Sequence, residues 1–361
     1  MNRYSRHISL KEIGPEGQSK IAKAKVLVIG AGGLGCPALQ YLAAAGIGTL
    51  GIIDFDTVEE SNLQRQVLFG ISSLGKNKAL AAKIRLLDLN PTISINAYTE
   101  KLDSKNALGL FKQYDIVVDG SDNFETRYLA NDAAILAQKP LVYGAIYKFE
   151  GQVSVFNYQN GPSYRCLFSS PPENSIPNCE EIGVLGVLPG IIGSMQANET
   201  LKIILGLENV LSGKLWCFNA LSTQVTTFSI KKDKEKIHPV LNNGLYDSYQ
   251  IKSCEVEELI ISLKNVFKLQ NIQWIDVREK GEIPLLDNPD ILQIPLSTFE
   301  NNIEKLDRNS TLVFFCQQGV RSRQAASICR EKNIENSFSL KEGASDLFQY
   351  LKFLKHENSK A

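Results

Sequence analysis

A doubly wound α/β fold followed by a second, smaller α/β domain is the architecture this sequence predicts, on three observations. Short apolar runs ending in Gly or Asp, "KVLVIG", "GIIDFD" and "YDIVVDGSD", recur between Lys25 and Asp122. Their nearly unbroken Val and Ile content suits parallel strands covered on both faces, where no solvent side demands polar residues. Helix-period segments separate them, and the alternation repeats near the C-terminus with "NIQWIDVRE" and "TLVFFCQQG" as strands.

In chain order, the first strand runs into "GAGGLG" (Gly30 to Gly35), and the helix-period segment "CPALQYLAAAG" follows it. The second strand ends at Asp54, and the helix "NKALAAKIRLLDLNP" is closed by its proline. After the third strand, "KPLVYGAIYKFEGQVSVFN" begins an antiparallel extension of the sheet and "GSMQANETLKIILG" reads as a helix. The stretch "SIKKDKEKIHPVLNNGLYDSYQIKS" is lysine-rich without a hydrophobic period, which is linker composition. Residues 1–235 are therefore read as the first domain, 236–255 as linker and 256–361 as the second domain, with "RSRQAASICREKN" and "SDLFQYLKFLKHE" as its helices.

The 361 residues suffice for two domains, and a formal net charge of +0 gives no global attraction to nucleic acid or anionic membrane. The N-terminal "MNRYSRHISLKEIG" lacks a signal-type apolar core, and "IGVLGVLPGIIG" is too short and too broken by Gly and Pro to span a bilayer. A soluble cytoplasmic protein is expected. Seven scattered cysteines fit reduced thiols better than a disulfide framework, and no Cys-x-x-Cys pair occurs. Three histidines, His7, His238 and His356, leave little for a histidine-rich metal site or a Cys-His catalytic pair.

"GAGGLG" follows a strand and opens a helix, so its N–H groups can meet a phosphate, and Asp54 ends the next strand within reach of ribose hydroxyls. Alone, that fingerprint favours a dinucleotide dehydrogenase. The polar set downstream moves the reading to ATP: "SNLQRQ" (Ser61 to Gln66), Lys78 in "LGKNKA" and Asp122 in "DGSDN". Arg65 and Lys78 can bracket a triphosphate, and Asp122 beyond a strand's carboxyl end can hold Mg²⁺. Hydride transfer needs none of these. Singly, Lys78 is as well read as a solvated helix charge and Asp122 as an N-cap.

"RYSRHISL", "GAGGLG", "IDFDTVEESNLQRQ", "GKNKA", "DGSDN" and "NCEEIGVLGVLPGIIGSMQA" together resemble the MoeB/ThiF family of ubiquitin-activating-type adenylyltransferases, over roughly residues 1–230. The resemblance implies adenylation of the C-terminal Gly-Gly carboxylate of a ubiquitin-like sulfur carrier of the MoaD or ThiS type. It implies that Gly33, Asp54, Ser61, Asn62, Arg65, Lys78, Asp122 and Asn123 hold MgATP. It further implies a homodimer in which Arg6 reaches the neighbouring subunit's triphosphate. The attacking carboxylate is already an anion, so positioning and charge neutralisation suffice and no histidine is required.

"CQQGVRS" (Cys316 to Ser322), with "IDVRE" (Ile275 to Glu279) and "IPLS" (Ile294 to Ser297), resembles rhodanese sulfurtransferases over about residues 255–355. Cys316 then carries a persulfide, supplied by a donor such as a cysteine desulfurase. The glycine-containing loop, the helix N-terminus and Arg321 all favour an anionic sulfur. Gln317 departs from the arginine that many relatives carry there. By the same family resemblance Cys179 attacks the adenylated carrier; its alternative is a loop thiol without a covalent role. Cys36, Cys217 and Cys329 read as packing residues. Relatives also bind structural zinc through two Cys-x-x-Cys pairs. Here the first reads Ser163-Tyr-Arg-Cys166 and "HPVLNNGLYD" stands in place of the second, so no zinc is expected. A dehydrogenase, or a module that only binds ubiquitin-like proteins, remains as the alternative.

Overall fold

The structure is a computed structural model describing residues 3–170, 183–246, 259–266, 268–269, 271–285, 288–317 and 319–358. It divides into two compact units, Met1–Ile251 and Lys252–Ala361.

The first unit is built on eight strands: β1 (Lys25–Ile29), β2 (Thr49–Ile53), β3 (Ser94–Tyr98), β4 (Ile116–Asp119), β5 (Leu141–Tyr147), β6 (Glu150–Phe156), β7 (Lys214–Asn219) and β8 (Val225–Ser229). They lie in the order β3-β2-β1-β4-β5-β6-β7-β8. The first five are parallel, with Leu27 opposite Gly51 and Val117. From β6 onward the pairing is antiparallel, as the hairpin-like sequence around Lys148 suggests.

Nine helices of this unit are described: α1 (Ser5–Ile8), α2 (Gly14–Lys23), α3 (Gly35–Ala45), α4 (Lys78–Leu89), α5 (Ala107–Phe111), α6 (Phe124–Ala137), α7 (Tyr164–Leu167), α8 (Val187–Leu205) and α9 (Lys234–Asn243). Alternation along β1 shows why its sequence is apolar throughout. Val26 and Val28 pack with Leu39 and Leu42 of α3, Leu86 of α4 and Ala197 of α8, whereas Leu27 and Ile29 pack with Phe111 of α5 and Leu129 of α6. Helix α8 begins earlier than the sequence pattern indicates, because Pro189 falls in its first turn, where a missing N–H costs nothing.

The expectation that 236–255 is linker fails over its first part. Helix α9 occupies Lys234–Asn243, capped by Asp233, and buries Ile237 and Val240 against Ile135. Two inward residues three positions apart, set among lysines, are too few to register as a period. Residues 247–258 lie outside the described part.

The second unit is a parallel sheet of β9 (Ile260–Ile261), β10 (Ile272–Asp276), β11 (Ile291–Gln293), β12 (Thr311–Phe315) and β13 (Ser337–Leu340), in the order β11-β10-β12-β13-β9. Helices α10 (Leu263–Val266), α11 (Val320–Glu331) and α12 (Ala344–Asn358) accompany it. Leu312 and Phe314 of central β12 enter one core, and Val313 and Phe315 the other, so both faces are again covered.

Candidate functional site: a switch-point cleft and a buried thiol loop

The strand order reverses between β1 and β4, and open α/β sheets bind ligands at the carboxyl edge at such a point. Glycines make the turn there possible. Gly30 has φ +83°, and a Cβ on Gly35 would sit 1.9 Å from the Gly30 carbonyl oxygen. A Cβ on Gly120, at the end of β4, would lie 2.8 Å from the Ile29 oxygen, so the two turns cross in close contact.

Gly33, Asp54, Arg65, Lys78, Asp122 and Asn123 all line this cleft. Asp54 is buried, and one carboxylate oxygen accepts from the Ala31 N–H at 2.7 Å while the other accepts from the Asp56 N–H at 2.9 Å. Burial pushes its carboxyl above the ordinary value; the Ala31 N–H and the Lys78 ammonium oppose that. Asp54 thus fixes the glycine turn as well as facing the cleft. Lys78 opens α4, whose N-terminus Asn77 caps by accepting from the Leu80 N–H at 3.2 Å. Its ammonium donates to Asp56 at 3.0 Å. Arg65 lies in the turn after a short 3₁₀ segment, Glu60–Asn62, and donates to the Ser61 carbonyl at 3.0 Å. Asn123 caps α6 through the Thr126 N–H at 2.9 Å, leaving exposed Asp122 at the cleft mouth.

Two expected residues lie elsewhere, and Arg6, expected at a neighbouring subunit's site, stands outside its own chain's cleft. Ser61 and Asn62 are not among the cleft-lining residues; Asn62 is buried and turned into its own 3₁₀ turn, accepting from the Glu59 N–H at 3.2 Å. Arg6 is exposed on α1, next to Tyr4, whose hydroxyl meets Asn90 at the end of α4. That is the strands' amino edge, opposite the cleft.

Sequence reasoning missed Asp119, Arg127 and Asp56. Asp119, 1 % exposed, accepts through Oδ1 from the Ser121 hydroxyl at 2.6 Å, while its Oδ2 has no hydrogen-bond partner. Burial raises its carboxyl above the ordinary range, against the pull of Arg127. Arg127 lies over the Phe124 and Tyr143 rings and lines the cleft. The signal available was the doubled aspartate of "DGSD" with an arginine one helical turn past the Asn123 cap.

In the second unit Cys316 directly follows β12, 2 % exposed, with its sulfur 3.6 Å from the Ser322 hydroxyl, which in turn meets the Ser339 hydroxyl at 2.9 Å. Gly319, at φ +84°, caps α11. The "IDVRE" segment is a buried ion pair: Arg278 closes on Asp276 through Nη2 at 2.7 Å. Glu279 reaches "IPLS" by accepting from the Ser297 hydroxyl at 3.0 Å. Arg321 does not serve Cys316 alone, as the sequence suggested; its guanidinium grips Glu282, with Nη2 at 2.8 Å from Oε2. That residue stands far away in sequence, so the partnership was not visible there.

The remaining cysteines divide clearly. Cys36 donates to the Ala31 carbonyl, and burial pushes its thiol up to about 12; burial pushes Cys329 up to about 12 as well. Cys217 is half-buried on β7. Cys166 sits in a hydrogen-bonded clasp, accepting from the Ser163 N–H at 3.4 Å and from the Asp233 N–H at 3.3 Å, which ties α7 to the start of α9. Among the described residues no group of three or more His, Cys, Asp or Glu is placed to hold a metal, and no helix is long and apolar enough to cross a membrane. Cys179 and Cys254 lie outside the described residues.

Known proteins match this arrangement over both units. The family model described as "ThiF family" matches residues 4–240, and that described as "Rhodanese-like domain" matches residues 261–349. "Probable adenylyltransferase/sulfurtransferase MoeZ" of Mycobacterium tuberculosis is 39 % identical over 94 % of this chain and 91 % of its own length. "Sulfur carrier protein adenylyltransferase" of Thermus thermophilus is 49 % identical over 64 % of this chain and 88 % of its own. A crystal structure of E. coli MccB with ATP superposes with TM-score 0.57 at 25 % identity, covering 64 % of this chain and 72 % of that one. With the switch-point cleft inside residues 4–240 and the thiol loop inside residues 261–349, the chain belongs to the ThiF family and carries a C-terminal rhodanese-like domain.

Proposed function

We propose that this chain uses ATP to adenylate the C-terminal Gly-Gly carboxylate of a ubiquitin-like sulfur carrier, of the MoaD or ThiS type; the outer sulfur of a Cys316 persulfide then displaces AMP to give an acyl disulfide, and a second thiol cleaves it, taking the disulfide bond to Cys316 and releasing the carrier thiocarboxylate. The observation that carries the reading is the convergence of Gly33, Asp54, Arg65, Lys78 and Asp122 on one cleft in a chain that also presents Cys316 at a strand's carboxyl end. Arg65 and Lys78 meet the phosphates and take up charge as pyrophosphate leaves. The Gly30–Gly35 turn lets the backbone approach, and Asp54 holds that turn in place. Asp122 suits Mg²⁺, which commonly takes one or two carboxylates and otherwise phosphate oxygens and water. ATP–pyrophosphate exchange, measured with each candidate carrier, tests the reading; exchange with none of them, alongside nicotinamide-dependent hydride transfer, would replace it with a dehydrogenase.

The protein acts as a cytoplasmic homodimer in this proposal, with a cysteine desulfurase as a suitable sulfur source. Arg6, at the edge opposite its own cleft, serves the partner's site. Arg6→Ala should weaken ATP use, and mixing it with Lys78→Ala should restore part of the activity, because a mixed dimer holds one site with both residues intact. No recovery despite demonstrated subunit exchange would place Arg6 in its own chain's chemistry.

In this proposal the Ser163–Cys166–Asp233 clasp serves as the fastening that the family resemblance would assign to zinc. Metal analysis should find no stoichiometric zinc, and chelators should leave the melting temperature unchanged. One tightly held zinc per chain would instead assign ligands such as Cys166, His238 or Cys254.

A further inference from the structure

The thiol loop holds its positive charge in a form that a small anion cannot use. Both arms of the Arg321 fork are spent on the two carboxylate oxygens of Glu282. This is the same bidentate geometry with which arginine would grip an oxyanion. The Arg321 hydrogen bonds hold the Glu282 carboxyl down at about 2, so the pair is ionised on both sides and electrically balanced at neutral pH. Gln317 adds no charge, and its carboxamide donates to the Ser345 hydroxyl at 3.4 Å. Arg278, in the segment that leads to Glu282, is 2 % exposed and closed on Asp276.

Cys316 is itself buried beneath this loop. A dianion delivering sulfur there must shed water, which is costly unless cations replace the lost hydration. A persulfide on a polypeptide cysteine carries at most one negative charge at its reacting end and brings apolar surface with it. Ile283 and Leu285, 80 % and 67 % exposed immediately after Glu282, offer an apolar rim for such a donor.

We propose that Glu282 sets sulfur-donor specificity: by occupying Arg321 it excludes small dianions such as thiosulfate and leaves Cys316 to be loaded from a persulfide on another polypeptide. This rests on the reading of Cys316 as sulfur acceptor. In the transfer, the Cys316 thiol gives up its proton and its sulfur attacks the outer sulfur of the donor. A new S–S bond forms, the donor's S–S bond breaks, and the electron pair leaves on the donor cysteine, which takes a proton. With thiosulfate the leaving group is sulfite. No external oxidant or reductant is needed in either case.

The test compares full-length wild type, Glu282→Gln and Glu282→Gln/Arg321→Ala. Two donors are used: thiosulfate, with cyanide as acceptor and thiocyanate as readout, and a persulfidated cysteine peptide, with added sulfur on Cys316 read by mass spectrometry. Freeing one arginine fork should raise kcat/KM for thiosulfate about tenfold or more, chiefly through KM, which is the scale of one charge-assisted bidentate contact. Peptide loading should stay within about twofold of wild type, since that donor does not draw on the fork. The double variant should lose the gain, which loosening of the loop alone would not cause. Unchanged thiosulfate KM in a Glu282→Gln protein that melts like wild type overturns the proposal, as does wild type preferring thiosulfate to the peptide. Absence of sulfur on Cys316 from either donor overturns the acceptor role itself and the proposal with it.

Discussion

Lys78→Ala should lower carrier-dependent ATP–pyrophosphate exchange by about a hundredfold or more, the usual cost of removing one charge aimed at a developing anion. Asp122→Ala should do the same. The two act differently. Lys78 is a buried cation at the first turn of α4, whereas Asp122 is an exposed anion whose neighbour Asn123 does the capping. Neither loss should unfold the protein, because Asp56 on the far side of the Lys78 pair is half exposed and such pairs contribute about 1 kcal/mol or less. Thermal melts close to wild type, alongside exchange at background, would support the assignment. Normal exchange in either variant would falsify it.

Cys316→Ser should separate the two chemistries. Pyrophosphate exchange should persist, since every proposed ATP residue precedes β9 in the chain. Sulfur loading should vanish, because a serine hydroxyl neither ionises near neutral pH nor accepts a sulfane sulfur. Thiocarboxylate formation with a polypeptide persulfide as donor should fall to background. Wild-type yield from the variant, with no free sulfide supplied, would reduce the second unit to a docking or structural element.

The elements most legible in the sequence were those whose backbone conformation constrains residue type. Gly30, Gly35 and Gly120 mark crossing turns where no side chain fits, and the Val/Ile runs of β1 and β4 are buried on both faces. What escaped was pairing between residues distant in the chain. The Lys78–Asp56 and Arg321–Glu282 pairs join segments that folding alone brings together. Asp119 escaped because a strand-end aspartate reads as a turn signal, and its burial becomes evident only once β4 is seen between β1 and β5. Helix α9 escaped for want of apolar residues to announce it.

The company Lys78 keeps bears on how a polyanion enters the cleft. Asp54, Asp56, Glu100 and Asp122 line it on the acidic side and Arg65, Lys78, Lys101 and Arg127 on the basic side. The ledger of formal charges is level before any phosphate arrives. Lys78 donates to the Asp56 carboxylate, so turning it to a phosphate, as proposed, would leave that carboxylate to repel the newcomer. In the proposed reaction, nucleotide entry is therefore an exchange of one ion pair for another in a cleft with no net positive charge of its own. That is a physical reason for the proposed Mg²⁺ to travel with the nucleotide, and for the proposed contribution of Arg6 from a second subunit.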